Sequence, residues 1–195
     1  MTDEQLILAS RQGDEHAFKE LIKRHESRVA STVIGMLGNC PEAEDVGQET
    51  FIRFYNNLKN FRGDASVGTY LTRIAINLSL NELKRRKRRS LLFFHKQDEE
   101  IFDIPDENSE TQFDENQEMV QHAIQKLEPK FRSVIVLRLM DGYSTAETAE
   151  ILKLPIGTVL SRLARAQKKL KEILLPYLGR VLNEQQNSRI SAPLL

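Results

Sequence analysis

Tryptophan is absent from the 195 residues, cysteine occurs once, proline six times and glycine nine times. The lone Cys40 excludes an internal disulfide, and with His16, His25, His95 and His122 at no ligand spacing it assembles no metal cluster. Also missing are an apolar run long enough to span a bilayer and a charged-then-apolar leader, so the expectation is a cytoplasmic chain without membrane insertion. No convincing run alternates with period two and no glycine-bracketed β-branched segment reads as a strand, which leaves an all-α fold. Nucleophile–base pairings, metal spacings and glycine-rich phosphate loops are lacking as well, so neither an enzyme nor a cofactor is expected.

Net charge is missing only as a sum. Residues 1–95 carry 15 basic and 12 acidic side chains, residues 96–118 carry 1 and 10, and residues 119–195 carry 12 and 6. Two basic segments flanking an acidic one suit a protein whose ends both meet a polyanion. The same pattern divides the chain into two small helical domains, at 1–92 and 114–180, joined by an acidic flexible linker at 93–113 and followed by a tail at 181–195 without periodicity. The linker still holds Phe93, Phe94, Ile101, Phe102 and Ile104, more apolar residues than a bare spacer needs.

What is present is most informative at Ser144 to Leu170. Ser144 and Glu147 have capping-box spacing, and Pro155 fits only a first helical turn, so a helix from Ser144 to about Leu152 is followed at once by another from Pro155 or Ile156. On the second, Val159, Leu163, Ala166 and Leu170 share one stripe, while Thr158, Ser161, Arg162, Arg165, Lys168 and Lys169 spread over the other side. A solvated amphipathic helix would look similar in isolation, but the short turn and the small polar residues at its start match a helix-turn-helix. Lys153 stands where many such motifs carry a glycine.

In the first half, Thr2 with Gln5 and Asp14 open two helices, and Pro41 opens a third running to about Leu58. Its core stripe is Phe51, Phe54, Tyr55 and Leu58. A second stripe, Asp45, Gln48, Glu49 and Ile52, frames an apolar residue with hydrogen-bonding groups and suits a basic partner protein. A fourth helix from Val67 to Arg89 turns Leu71, Ile74, Ala75 and Leu78 toward a core and Arg73, Asn77, Asn81 and Lys84 outward. It ends in Lys84, Arg85, Arg86, Lys87, Arg88 and Arg89, six consecutive cations for which a phosphate backbone is the better explanation than solvation.

Three segments, DVGQETFIRFYNNLKNFRGD (Asp45 to Asp64), TYLTRIAINLSLNELKRRKRR (Thr69 to Arg89) and LEPKFRSVIVLRLMDGYSTAETAEILKLPIGTVLSRLARAQKKL (Leu127 to Leu170), resemble the bacterial sigma factors of the extracytoplasmic-function group. The likeness covers roughly residues 4 to 178. It implies that Asp45, Gln48 and Glu49, with Ile52 beside them, bind core RNA polymerase. It implies that the loop Phe61, Arg62, Gly63, Asp64, Ala65 and Ser66 captures an extruded base of the promoter's minus-ten element, assisted by Arg73 and Asn77, at a cost of a few kcal/mol in unstacking. Thr158, Ser161, Arg162 and Arg165 would then read the minus-thirty-five element, with Lys168 and Lys169 on phosphates. An anti-sigma factor is a common partner in the family. Val67 and Tyr70 stand where the family often shows a large aromatic residue and a tryptophan, and Gly47 where an aliphatic one is more usual.

The expectation is therefore a two-domain factor that docks on core RNA polymerase, directs it to promoters and helps open the DNA. The acidic stretch Asp98 to Glu118 is expected to occupy a basic channel of the polymerase, or else to serve as a spacer. Two alternatives compete: a dimeric helix-turn-helix regulator outside the polymerase, against which the Asp45, Gln48, Glu49, Ile52 stripe speaks, and an adaptor that uses its basic segments for charge complementarity alone.

Overall fold

Local signals decide where most helices begin. The computed structural model describes residues 1–94 and 112–190, and among these every regular element is helical. Helix α1 (Asp3–Arg11) opens on a Thr2–Gln5 capping box, and α2 (Glu15–Leu37) on Asp14, whose carboxylate accepts from the His16 and Ala17 amides at 2.9 and 3.1 Å. Helix α3 (Pro41–Asn57) starts with proline in its first turn, where the missing N–H costs nothing, and passes through a 3-10 turn at Leu58–Asn60. Helix α4 (Val67–Phe94) is capped by the Ser66 hydroxyl, which accepts from the Thr69 amide at 3.2 Å.

The second unit begins with α5 (Gln112–Gln125) and α6 (Pro129–Ile135). The latter widens into a π-helical turn at Val136–Met140 before stopping at Asp141 and Gly142. Helix α7 (Thr145–Leu152) carries the Ser144–Glu147 capping box, with both reciprocal bonds made at 3.2 and 2.8 Å. It ends on Lys153 in the left-handed conformation, φ 53°, and α8 (Ile156–Ile190) follows.

Two boundaries differ from the sequence expectation. Helix α4 runs five residues past Arg89, because Ser90 to Phe94 offer no glycine or proline to stop it. Helix α8 continues to Ile190, through ten residues of the segment expected to lack structure, since Glu184, Gln185 and Gln186 are good helix formers and neither glycine nor proline occurs between Gly179 and Ile190. The acidic linker falls largely on residues outside those described.

The core is continuous across both units. Leu21, Val29, Val33, Met36, Phe54, Leu71 and Ile76 from the first unit and Ile124, Leu127, Phe131, Ile135, Val136 and Leu137 from the second belong to a single cluster, with each of them 5% exposed or less. A smaller cluster of Val134, Ala149 and Val159, with Leu152, Leu154 and Leu163 against it, fixes α6, α7 and α8 at their crossing. The sequence expects two domains on a tether; the structure docks them face to face. Gly35 permits the approach, because a Cβ there would lie 3.0 and 3.1 Å from the Val136 methyls and 3.2 Å from the Met140 sulfur.

Polar contacts complete the seam. Thr32 donates to the Asp141 carboxylate at 2.8 Å, and the Tyr143 hydroxyl bonds Thr72 at 2.9 Å and accepts from Arg28 at 3.3 Å. Gln121 and Gln125 donate to the carbonyls of Ile34 and Gly35 at 2.6 and 2.9 Å, and Arg132 to that of Met36 at 2.6 Å. These carbonyls lie in the last turn of α2; that of Ile34 also accepts from the Gly38 amide at 2.8 Å, while those of Gly35 and Met36 lie beyond the last helical amides and are met from the second unit.

Candidate nucleic-acid interface

Three surfaces carry the residues singled out from sequence, and the fold gives each a different degree of freedom. On α3 the outward stripe is intact: Asp45 and Gln48 are exposed, Ile52 is 54% exposed, and Glu49 is half-buried and paired with Arg53 at 2.7 Å. A Cβ on Gly47 would meet nothing within 4 Å. Tyr55, which periodicity assigned to the core, is 51% exposed one turn from Ile52, its ring resting edge-on against Phe18 at 4.8 Å. The apolar part of this surface is therefore a pair rather than a lone isoleucine. The second unit leaves it uncovered.

The loop at residues 61–66 splits between scaffold and open groups. Phe61 is held in an aromatic cluster, 5.9 Å from Phe54 and 5.1 Å from Tyr70, and Arg11 donates to the carbonyls of Leu58 and Phe61. Ser66 is occupied in capping α4. That leaves Arg62, Gly63 and Asp64 exposed, with Gly63 at φ 78°, a conformation that favours glycine. On α4, Asn77 is exposed, whereas Arg73 reaches across the seam and donates to Glu150 of α7 at 2.7 Å. In the docked arrangement Arg73 is thus occupied by the second unit.

The six-cation run is not six free charges. Glu82, 7% exposed, receives Arg85 at 2.6 Å, Arg86 at 3.3 Å and Arg89 at 3.4 Å, and Arg86 also reaches Glu42 at 3.3 Å. Arg86 further approaches the Cys40 sulfur at 3.1 Å. Hydrogen bonding to Glu82 raises the affinity of Arg85 for its proton above the ordinary value. The protein itself thereby supplies much of the negative charge that sequence reasoning sought in a phosphate. Lys84, Lys87 and Arg88 make no ion pair among the described residues.

On α8, Val159 and Ala166 are fully buried, and Ser161, Arg165 and Lys168 face outward. Thr158 and Arg162 are half-buried, and the Ser161 hydroxyl donates to the Thr158 carbonyl at 3.0 Å. Lys169 is engaged by Glu128 at 2.8 Å and lies over the Phe131 ring at 5.0 Å. Hydrogen bonds from Lys130 and Lys169 hold the Glu128 carboxyl down at about 2. Two exposed apolar residues at the start of this helix, Ile156 and Leu160, were missed by sequence reasoning. The signal was available: neither belongs to the Val159, Leu163, Ala166 stripe.

The architecture is that of a helix-turn-helix unit docked on a second helical unit that carries its own cationic helix. Two family models match the chain, one described as Sigma-70 region 2 over residues 21–89 and one as Sigma-70, region 4, over residues 117–170. The RNA polymerase sigma-H factor of Pseudomonas aeruginosa is 34% identical over 184 residues, covering 90% of this chain and 95% of that protein. The ECF RNA polymerase sigma factor SigW of Bacillus subtilis is 32% identical over 177 residues, covering 84% and 92%. Among solved structures, CnrH in complex with the cytosolic domain of CnrY has a TM-score of 0.63 at 27% identity, over 88% of this chain and 96% of that one. RpoE in complex with the anti-sigma factor NepR from Bartonella quintana has a TM-score of 0.64 at 22% identity, over 80% and 96%, a likeness of fold.

The chain belongs to the sigma-70 family of RNA polymerase sigma factors, within the extracytoplasmic-function group. A factor of this family directs RNA polymerase to promoters, and the reading as a stand-alone dimeric regulator is not favoured. Among the described residues no helix is long and apolar enough to cross a membrane.

Proposed function

We propose that this chain docks on core RNA polymerase through α3 and delivers two separate promoter-reading surfaces, with the chemistry of transcription left to the polymerase. The observation that carries the reading is the exposed Asp45, Gln48 and Ile52 stripe, extended by Tyr55, which the docked second unit leaves open. An apolar centre rimmed by carboxylate and amide groups fits a partner-protein contact better than a solvated face does. Arg62, Gly63, Asp64, Arg73 and Asn77 are the minus-ten surface; Phe61 and Ser66 build its scaffold. Lys84, Lys87 and Arg88 meet phosphates directly, while Arg85 and Arg86 do so only in exchange for Glu82. Thr158, Ser161, Arg162 and Arg165 read the minus-thirty-five element, and Lys168 grips its backbone.

The functional division follows the basic and acidic segments: 1–92 for polymerase and minus-ten, 93–113 as an acidic linker in a basic channel, and 114–180 for minus-thirty-five. The docked arrangement suits a resting or inhibitor-bound form, and an anti-sigma factor is the expected third partner, a proposal supported by the solved structure of the similar CnrH in complex with the cytosolic domain of CnrY. The test is in vitro transcription with core polymerase and mapped start sites. Ile52→Asp is expected to abolish promoter-dependent initiation while leaving the fold intact. Unchanged initiation by that variant contradicts the docking surface.

A further inference from the structure

The outward surface of the first two turns of α8 is apolar and small rather than cationic. Ile156 is 52% exposed and Leu160 51% exposed, one turn apart on one edge of the helix, with Gly157 and Ala164 continuing the same exposed side. A Cβ on Gly157 would meet nothing within 4 Å, so the helix can approach a surface closely there. The polar readers beside them are partly committed: the Ser161 hydroxyl donates to the Thr158 carbonyl and keeps only its acceptor side free, and Thr158 and Arg162 are half-buried. Charge begins further along, with Arg162, Arg165 and Lys168, none of which forms an ion pair among the described residues. Such a gradient, apolar at the helix start and cationic behind it, complements a major groove whose base edges lie ahead of the phosphates.

In that groove one group is both apolar and specific to a single base, the C5-methyl of thymine. We propose that Leu160, with Ile156 beside it, is a specificity-determining contact that reads thymine methyl groups in the promoter's upstream element. The inference rests on the assignment of α8 to that element. It adds that base preference at one or two positions comes from apolar contact rather than from a hydrogen bond.

The test uses reconstituted holoenzyme on promoters defined by start-site mapping, with each upstream-element thymine replaced singly by deoxyuridine, which deletes only the methyl group. Open-complex formation is expected to fall about fourfold at one or two positions, the factor that burying one methyl group supports. Leu160→Ala is expected to lower it by a similar factor on thymine DNA and to show no further loss on deoxyuridine DNA at those positions. Because Leu160 is exposed, unchanged far-UV circular dichroism and melting temperature are expected, and the deoxyuridine arm needs no variant.

If every deoxyuridine is tolerated within twofold while Arg165→Ala still impairs initiation, the methyl contact is overturned and the helix assignment stands. If neither Arg162→Ala nor Arg165→Ala has any effect, the helix assignment itself fails. If Leu160→Ala instead weakens binding to core polymerase, the apolar edge faces protein and the proposal is wrong.

Discussion

Replacing Arg132 with methionine is expected to destabilise the chain by about 5 kcal/mol, among the largest effects of any single substitution. Arg132 is 7% exposed and has no carboxylate partner among the described residues. It donates instead to the carbonyls of Met36 at 2.6 Å and Leu127 at 3.0 Å, to the Gln125 side-chain oxygen at 2.7 Å and to the Gln125 carbonyl. Met36 lies in the last turn of α2 and Gln125 ends α5, so two helix C-termini, each carrying partial negative charge, act together as the counter-ion. Each acceptor left bare in the interior costs about 1–3 kcal/mol, a gross loss of about 8 kcal/mol.

Burial also penalises the charge itself, holding the Arg132 proton affinity well below its ordinary value, at about 10. Removing the charge recovers about 3 kcal/mol at 1.36 kcal/mol per unit. The methionine stem keeps most of the packing. Equilibrium urea unfolding followed by circular dichroism reads the difference, with Arg132→Lys expected to lose roughly half as much because an ammonium reaches fewer of the four acceptors. A methionine variant within 1 kcal/mol of the parent would refute the counter-ion argument.

Gly35→Ala separates helix propensity from docking: the first unit gains up to about 1 kcal/mol within α2, while the new methyl presses on Val136 and Met140. Fluorescence transfer between dyes on the two units should report a wider separation. Lys153→Gly is expected to stabilise the helix-turn-helix by about 1 kcal/mol, since a side chain at φ 53° is strained and glycine is not; thermal unfolding measures it. Burial raises the Asp141 carboxyl above its ordinary value despite help from Thr32, Arg28 and Ser31. The docked state therefore binds more protons than the separated one, and docking should strengthen as pH falls through the carboxylate range and weaken as it rises. Asp141→Asn should flatten that dependence in the same fluorescence experiment, and an unflattened profile assigns it to another group.

How far the sequence reveals this molecule depends on the range of the signal. Thr2, Asp14, Pro41 and Ser144 announce helix starts because a cap or a missing N–H acts within three residues, and all four starts are found. The stripe of Val159, Leu163 and Ala166 likewise orients α8 correctly. Tyr55 was misplaced because periodicity says which face a residue shares, not whether a neighbour arrives to cover it. The seam was invisible for the same reason: nothing local to Thr32, Tyr143 or Gly35 says that they meet. Glu82 was readable and overlooked, since it stands three, four and seven residues before Arg85, Arg86 and Arg89, the spacing at which helix side chains touch.

That buried glutamate has a thermodynamic consequence for the DNA contact proposed for α4. A cation that neutralises a phosphate releases a condensed counter-ion, and the logarithm of affinity then falls with the logarithm of salt by about 0.9 per duplex phosphate, or about 0.7 per single-strand phosphate. Six unencumbered cations on α4 would make association steeply sensitive to ionic strength. With Arg85, Arg86 and Arg89 already satisfied by Glu82, only three begin free of an ion pair, and the slope contributed by this helix is shallower by about 2 to 3. In the proposed contact the helix trades maximal grip for a gentler response to ionic strength, its three unpaired cations contributing a slope of about 2 to 3 where six would contribute about 4 to 5.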